Sequence, residues 1–272
     1  MASDVHCHPF DLSKLHLDCE VQRSKLTIPC LSSAWNNEDW THNETLSKNA
    51  LGAQMLLGFA VHPQLPASDT YTNDALLLLN NLVLKKRIHA IGETGFDFFN
   101  ENFKRTEQIQ TELFESHLKY AIDFELPMVL HIRKAMQKIF SYSKQLKKVK
   151  AVIFHSYSST AEDAVSLLKH GVNAYFSFGN AICLNHKTAQ RACAQIPADR
   201  LLFETDAPYQ PLGGKQFSTY ADIFGVIKQA ALLRQNINPI SAAELEHISD
   251  KTFKKILAPP QKKLPPQESK PI

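Results

Sequence analysis

What constrains this chain most is an alternation. Eight short apolar runs, at 5–8, 26–31, 54–59, 88–92, 127–131, 151–155, 173–178 and 201–205, are separated by longer stretches in which apolar residues recur at helical spacing. Short apolar runs read as buried strands, whereas recurrence at three and four residues reads as a helix packed by one face. Helical stretches are expected at 11–22, 35–51, 74–86, 103–124 and 135–146, then near 219–234 and 242–257. Two capping boxes mark helix starts, Ser159 with Glu162 and Ser241 with Glu244. Strands alternating with helices pair in parallel, and eight of them close into a (β/α)8 TIM barrel, an α/β fold built here as a single domain. The length of 272 residues suits one such barrel, and 44% hydrophobic residues fill its core. No Pro/Gly/Ser linker splits the chain, so residues 1–257 are expected to form the barrel. Residues 258–272, rich in Pro, Lys and Gln, are expected to form a flexible tail.

Charge and cysteine usage narrow the class. A net charge of +3 lacks the basic excess of a dedicated nucleic-acid binder, so any grip on DNA or RNA would be local and assisted by metal. Five cysteines at irregular spacing do not form a disulfide framework, and reduced thiols suit the cytoplasm. The segment Met1-Ala2-Ser3-Asp4 has no basic and apolar leader pattern, and no stretch approaches a membrane span, so no membrane association is expected. No obligate protein partner is expected either.

The ends of the apolar runs carry the chemistry. In this fold the active site lies where strands end and the following loops begin. His6 and His8 end the first run and, two apart on a strand, point the same way. His62 follows the third run, Glu93 the fourth; His131 ends the fifth, His155 the sixth, and Asp206 follows the eighth. Each alone has a plain structural explanation, such as a loop hydrogen bond or a helix cap. Together, at matching strand ends, His6, His8, Glu93, His131, His155 and Asp206 form a ligand set for divalent metal, and two ions sharing a carboxylate suit phosphoryl displacement. Glu93 has the reach to bridge. Asp206 is placed to orient or deprotonate a water. His62, just before Pro63, is expected to donate to a substrate phosphate, and Arg133 to do so with its planar fork. The other seven histidines, among them His117 and His186, are expected to be surface or packing residues. Cys7 is expected to face away from the two histidines as a packed apolar residue.

Six motifs carry a family resemblance. They are Asp4-Val5-His6-Cys7-His8; Gly58-Phe59-Ala60-Val61-His62-Pro63; Ile91-Gly92-Glu93-Thr94-Gly95-Phe96-Asp97; the run from Leu126 to Ala135 containing His131-Ile132-Arg133; Phe154-His155-Ser156-Tyr157-Ser158; and Leu202-Phe203-Glu204-Thr205-Asp206-Ala207-Pro208-Tyr209. Over roughly residues 4–257 the chain resembles the TatD family of metal-dependent deoxyribonucleases, within the amidohydrolase-like barrels. The resemblance implies one metal on His6, His8, Glu93 and Asp206, and a second on Glu93, His131 and His155. It implies two divalent ions (Mg2+, Mn2+ or Zn2+), a phosphate contact at His62, and hydrolysis of phosphodiesters at DNA ends, with RNA a further candidate. The chain departs from the family pattern at Ser156-Tyr157-Ser158-Ser159, where Cys-Phe-Ser-Gly is usual. It departs again at 213–218, where an Asn-Glu-Pro is missing, and at Asp250, where Asn is common. None of these positions is an expected ligand.

Three other classes bear comparison. Barrel hydrolases of small amides or lactones often bridge their metals with a carboxylated lysine, where this chain has Glu93. Phosphatases of the polymerase-and-histidinol type also open with an HxH strand but lack the Glu-Thr-Asp-Ala-Pro and Gly-x-x-x-His-Pro patterns. A non-catalytic interaction barrel would be expected to lose ligand positions that are intact here.

Overall fold

Each of the eight runs becomes one strand of a single parallel sheet, ordered β1 to β8 in chain order. The strands are β1 Asp4–Cys7, β2 Cys30–Ala34, β3 Met55–Phe59, β4 Ala90–Asp97, β5 Met128–Arg133, β6 Val152–Phe154, β7 Ala174–Phe178 and β8 Leu201–Phe203. The computed structural model describes residues 1–49, 52–68 and 72–259. The last strand returns to the first: Asp206 N–H donates to His6 O at 3.0 Å and His8 N–H to Ala207 O at 2.8 Å. Beside them the buried Asp4 carboxylate accepts Thr205 N–H at 3.0 Å and Thr205 Oγ1–H at 2.6 Å. These bonds, made by the segment just past β8, bring the sheet nearly to closure, and the fold is the expected (β/α)8 TIM barrel. Most of the tail expected from residue 258 lies outside the described residues.

Two apolar layers hold the barrel together. Inside, Val5, Leu31, Leu56, Ala90, Val129, Ile153 and Leu202 meet as one cluster, joined by Phe253, Ile256 and Leu257 of the last helix, Ala242–Leu257. Outside, the strands pack against amphipathic helices. Helix Glu107–Asp123 buries Gln110, Leu113, Phe114, His117, Leu118 and Ala121, a stripe at three- and four-residue spacing. Cys7 packs in this outer layer, as expected.

The departures from expectation have local causes. The second strand begins at Cys30 rather than 26, because Leu26 caps helix Cys19–Lys25 and Thr27 turns with a left-handed φ of +52°. The stretch 11–22 divides into helices Pro9–Leu15 and Cys19–Lys25, leaving Leu17 in the break and 91% exposed. The stretches 103–124 and 135–146 each divide in the same way. The cap expected at Ser159 falls one residue later, where Thr160 accepts Asp163 N–H. The Ser241–Glu244 capping box forms as read. Helix Lys187–Gln195 was not expected because its buried face is Ala189, Ala192, Cys193 and Ala194, with no large apolar stripe. Finally, β4 runs on to Asp97, so Glu93 sits within a strand and not after it. Its flanking glycines look like turn residues but serve close strand approach. A Cβ on Gly95, at φ +142°, would lie 2.2 Å from His131 O, and one on Gly92 would lie 2.5 Å from Val129 Cβ.

Candidate metal centre

The barrel brings the expected residues to one rim. His6 lies in β1 with His8 just beyond it; Glu93 and His131 lie in β4 and β5; His155 follows β6 directly; His62 and Asp206 each lie three residues past β3 and β8. All but His62 are at most 9% exposed; all but His6, which lies behind them, line a cavity of about 820 Å³ at the carboxyl ends of the strands. Asp206 holds a left-handed φ of +53°, uncommon for a residue with a Cβ and found where function constrains the backbone. Its hydrogen bond to His6 O ties that conformation to the closure of the barrel.

Glu93 is the centre of the cluster, and its two oxygens face different histidines. Oε1 lies 2.5 Å from His131 Nδ1, 2.8 Å from His155 Nε2 and 3.3 Å from His62 Nε2. Oε2 lies 3.3 Å from His6 Nε2 and 3.8 Å from His8 Nε2. Asp206 Oδ1 faces the same pair, 3.5 Å from His6 and 3.3 Å from His8. Among the described residues, three overlapping groups have ligand atoms close enough to hold an ion: His6, His8 and Glu93; His6, His155 and Asp206; and His62, Glu93 and His131.

Outer partners fix which ring nitrogens face inward. His131 Nε2 lies 2.9 Å from Asp97 Oδ2 and donates to it, so that a neutral His131 would offer its Nδ1 lone pair to an ion beside Glu93. Asp97 is fully buried; burial pushes its carboxyl up, but bonds from His131, Gln64 and Phe99 hold it at about 2. On the other side His155 Nδ1 lies 3.3 Å from Glu204 Oε1, which also accepts Ser156 N–H and Oγ–H. Gln210 donates to Asp206 Oδ2 and to Ser156 Oγ, both at 2.6 Å, so Asp206 keeps Oδ1 toward the histidines. Sequence reading did not single out Asp97, Glu204, Gln64 or Gln210. Asp97 and Glu204 stand inside two of the motifs, four and two residues from an expected ligand, and that proximity is the one signal they give.

The electrostatics fit a cation. Burial pushes the Glu93 carboxyl up, but His155, His62, His131 and His6 hold it well below the usual range. Asp206 is likewise held down against burial, chiefly by His8. Burial lowers His8, His131 and His155, yet facing carboxylates lift all three, His8 to about 9. Burial and His155 lower His6; burial lowers His62. Protons therefore balance the buried carboxylates here, and divalent cations compete with protons for such donors. His6 Nε2 is the clearest sign of fit: it is buried between Glu93 and Asp206 yet has no hydrogen-bond partner. A mixed imidazole and carboxylate set of this kind suits divalent ions.

Arg133 stands apart, at the cavity mouth. Its side chain is 42% exposed, and the guanidinium lies 3.9 Å from Asp97 Oδ2 and 3.9 Å from the centroid of the Phe99 ring. His186, expected to be a surface or packing residue, caps helix Lys187–Gln195 and also lines the cavity.

Residues 3–258 match the family model of TatD-related DNases. Among curated relatives, the 3'-5' ssDNA/RNA exonuclease TatD of Erwinia tasmaniensis is 31% identical over 207 residues, covering 68% of this chain and 78% of that one. A metal-dependent hydrolase of Buchnera aphidicola subsp. Baizongia pistaciae, itself uncharacterised, is 28% identical over 215 residues, covering 76% and 77%. Among solved structures, YjjV of Escherichia coli K12, a TatD homologue, superposes with a TM-score of 0.77 over 94% of this chain and 97% of its own, at 24% identity, and so shares the fold. A family match over residues 3–258, on an eight-stranded barrel with a histidine and carboxylate cluster at its rim, means that this chain belongs to the TatD-related DNases, a family of hydrolases.

Proposed function

We propose that the chain is a metal-dependent phosphodiester hydrolase acting on DNA ends through a two-ion site. The observation that carries this reading is Glu93, whose two oxygens face separate histidine sets and so suit a bridge. One ion would rest on His6, His8, Glu93 and Asp206, the other on Glu93, His131 and His155. Mg2+, Mn2+ or Zn2+, when bound, would offset phosphate charge and make a water acidic enough to attack near neutral pH. Asp206 takes the proton of the attacking water at Oδ1, since Gln210 occupies Oδ2.

His62 has a different role. Its Nδ1 accepts Gln64 N–H at 3.2 Å, so a neutral ring carries its proton on Nε2, the atom that faces the cavity. It therefore donates, to a non-bridging phosphate oxygen, rather than ligating. Arg133, exposed at the mouth, takes a phosphate of the entering strand.

The relative from Erwinia is named for single-stranded DNA and RNA, which supports a nucleic-acid substrate. The cytoplasm suits the five cysteines, all of them free. No helix among the described residues is long and apolar enough to cross a membrane. The deciding experiment is cleavage of single-stranded and blunt double-stranded DNA by protein stripped with chelator and then reloaded with each ion. Cleavage from an end that returns with metal supports the proposal. Metal-loaded protein that cleaves neither substrate overturns it.

A further inference from the structure

Gln64, on the wall of the cavity, makes two bonds that lead to different parts of the centre. Its backbone N–H donates to His62 Nδ1 at 3.2 Å. Its side-chain Nε2 donates to Asp97 Oδ2 at 2.7 Å. That same oxygen accepts His131 Nε2–H, while Asp97 Oδ1 accepts Phe99 N–H at 2.8 Å.

The consequences for the two rings are opposite. A neutral imidazole has one proton, and the bond made by one nitrogen decides what the other offers. At His62 the outer nitrogen, Nδ1, accepts, so Nε2 presents an N–H to the cavity. At His131 the outer nitrogen, Nε2, donates, so Nδ1 presents a lone pair. The carboxylate that secures His131 is held in rotation by two bonds of its own, one of them from Gln64. Two rings whose centroids are 4.7 Å apart, both against Glu93 Oε1, thus offer opposite chemistry.

We propose that Gln64 is a positioning residue that sets this division, its backbone making His62 a donor and its side-chain amide, through Asp97, keeping His131 a ligand. The inference rests on the proposed two-ion reading and adds a residue outside its ligand set. Each bond acts alone: loss of the amide reaches His131 and leaves His62 as it is.

The test uses the full chain, Zn2+ as the probe, and the variants Gln64→Met and Gln64→Leu, which keep bulk and the backbone N–H but lose the side-chain donor. Zn2+ affinity, read by competition with a chromophoric chelator, is expected to fall about tenfold in both, the lower end of what partners behind a ligand contribute. In an Asp97→Asn background the same substitutions should have little further effect, because a residue acting through Asp97 is not additive with its loss. Nitrogen chemical shifts of histidine-labelled, Zn2+-loaded protein should show His62 protonated at Nε2 before and after substitution. Additive losses of affinity, or a His62 protonated at Nδ1, would overturn the proposal. Neither readout uses turnover. Protein that behaves as expected here yet cleaves no phosphodiester would refute the proposed function and leave Gln64 in its role.

Discussion

His117 ties acid stability to the loop that carries His62. It is fully buried on helix Glu107–Asp123. Its Nε2 accepts Val61 N–H at 3.0 Å, and its Nδ1–H donates to Leu113 O. The first bond needs a neutral ring, since a proton on Nε2 would point at another N–H. Burial pushes this histidine down from the ordinary 6.5 to about 4, although the Leu113 carbonyl pulls the other way. The unfolded chain therefore takes up a proton near pH 6.5 and the native chain only near pH 4. The contribution to stability is complete above pH 6.5, falls as the pH drops, and is gone below pH 4. Integrated over the window, the loss is about 3 kcal/mol in all and about 2 kcal/mol between pH 7.5 and pH 5. Urea unfolding of chelator-treated protein at those two pH values measures it, with His117→Gln as the reference. That variant keeps a donor and an acceptor but does not titrate. It should be the less stable protein at pH 7.5 and lose about 2 kcal/mol less on acidification. Equal acid losses in the two proteins would refute the reasoning.

Three further outcomes are expected at the centre. Glu93→Ala should abolish turnover and weaken both metal sites with the fold retained, as read by metal analysis and circular dichroism; near-normal turnover would rule out a bridging role. His62→Ala should lower phosphodiester turnover about 10²-fold, the scale for one donor to developing charge, and leave metal content unchanged; a variant that loses metal would make His62 a ligand. Asp97→Asn should weaken metal binding 10- to 100-fold with little change in thermal unfolding of the metal-free protein, because the carboxylate anchors His131 and not the core; unchanged affinity in a chelator titration would count against the anchor.

Several of the expected site positions were legible because they stand near residues that punctuate a strand: Pro63 after His62, the glycines around Glu93, Pro208 two residues after Asp206. The sequence shows where strands stop, and in a barrel those stops converge. What stayed hidden depends on contacts across the barrel. Asp97 matters because β4 continues four residues beyond Glu93 and lays it against β5, yet the glycines that permit this read as an ending. His117 looks like any polar residue on a long helix until the third strand's exit is seen to need an acceptor. Leu17 failed for the reverse reason: it continues a helical apolar pattern through a break and faces water. Helix Lys187–Gln195 buries only small side chains, so its periodicity, though real, shows no large apolar stripe to read.

The seam between β8 and β1 has a consequence for how the protein comes into being. Asp4 and Thr205, which meet there, are 201 positions apart, and Ser3 reaches Asp250 across 247. Synthesis delivers His6 and His8 well before Asp206, so the proposed ligand set stays incomplete until the eighth strand has been made. An ion that grips only the finished barrel adds stability to that state alone, about 4 kcal/mol when it is present at a thousand times its dissociation constant. Chains that stop short of the eighth strand forgo this increment and leave the edges of β1 and β7 unpaired, surfaces on which proteolysis and chaperones act. On the proposed two-ion reading, metal uptake therefore records that the eighth strand has met the first.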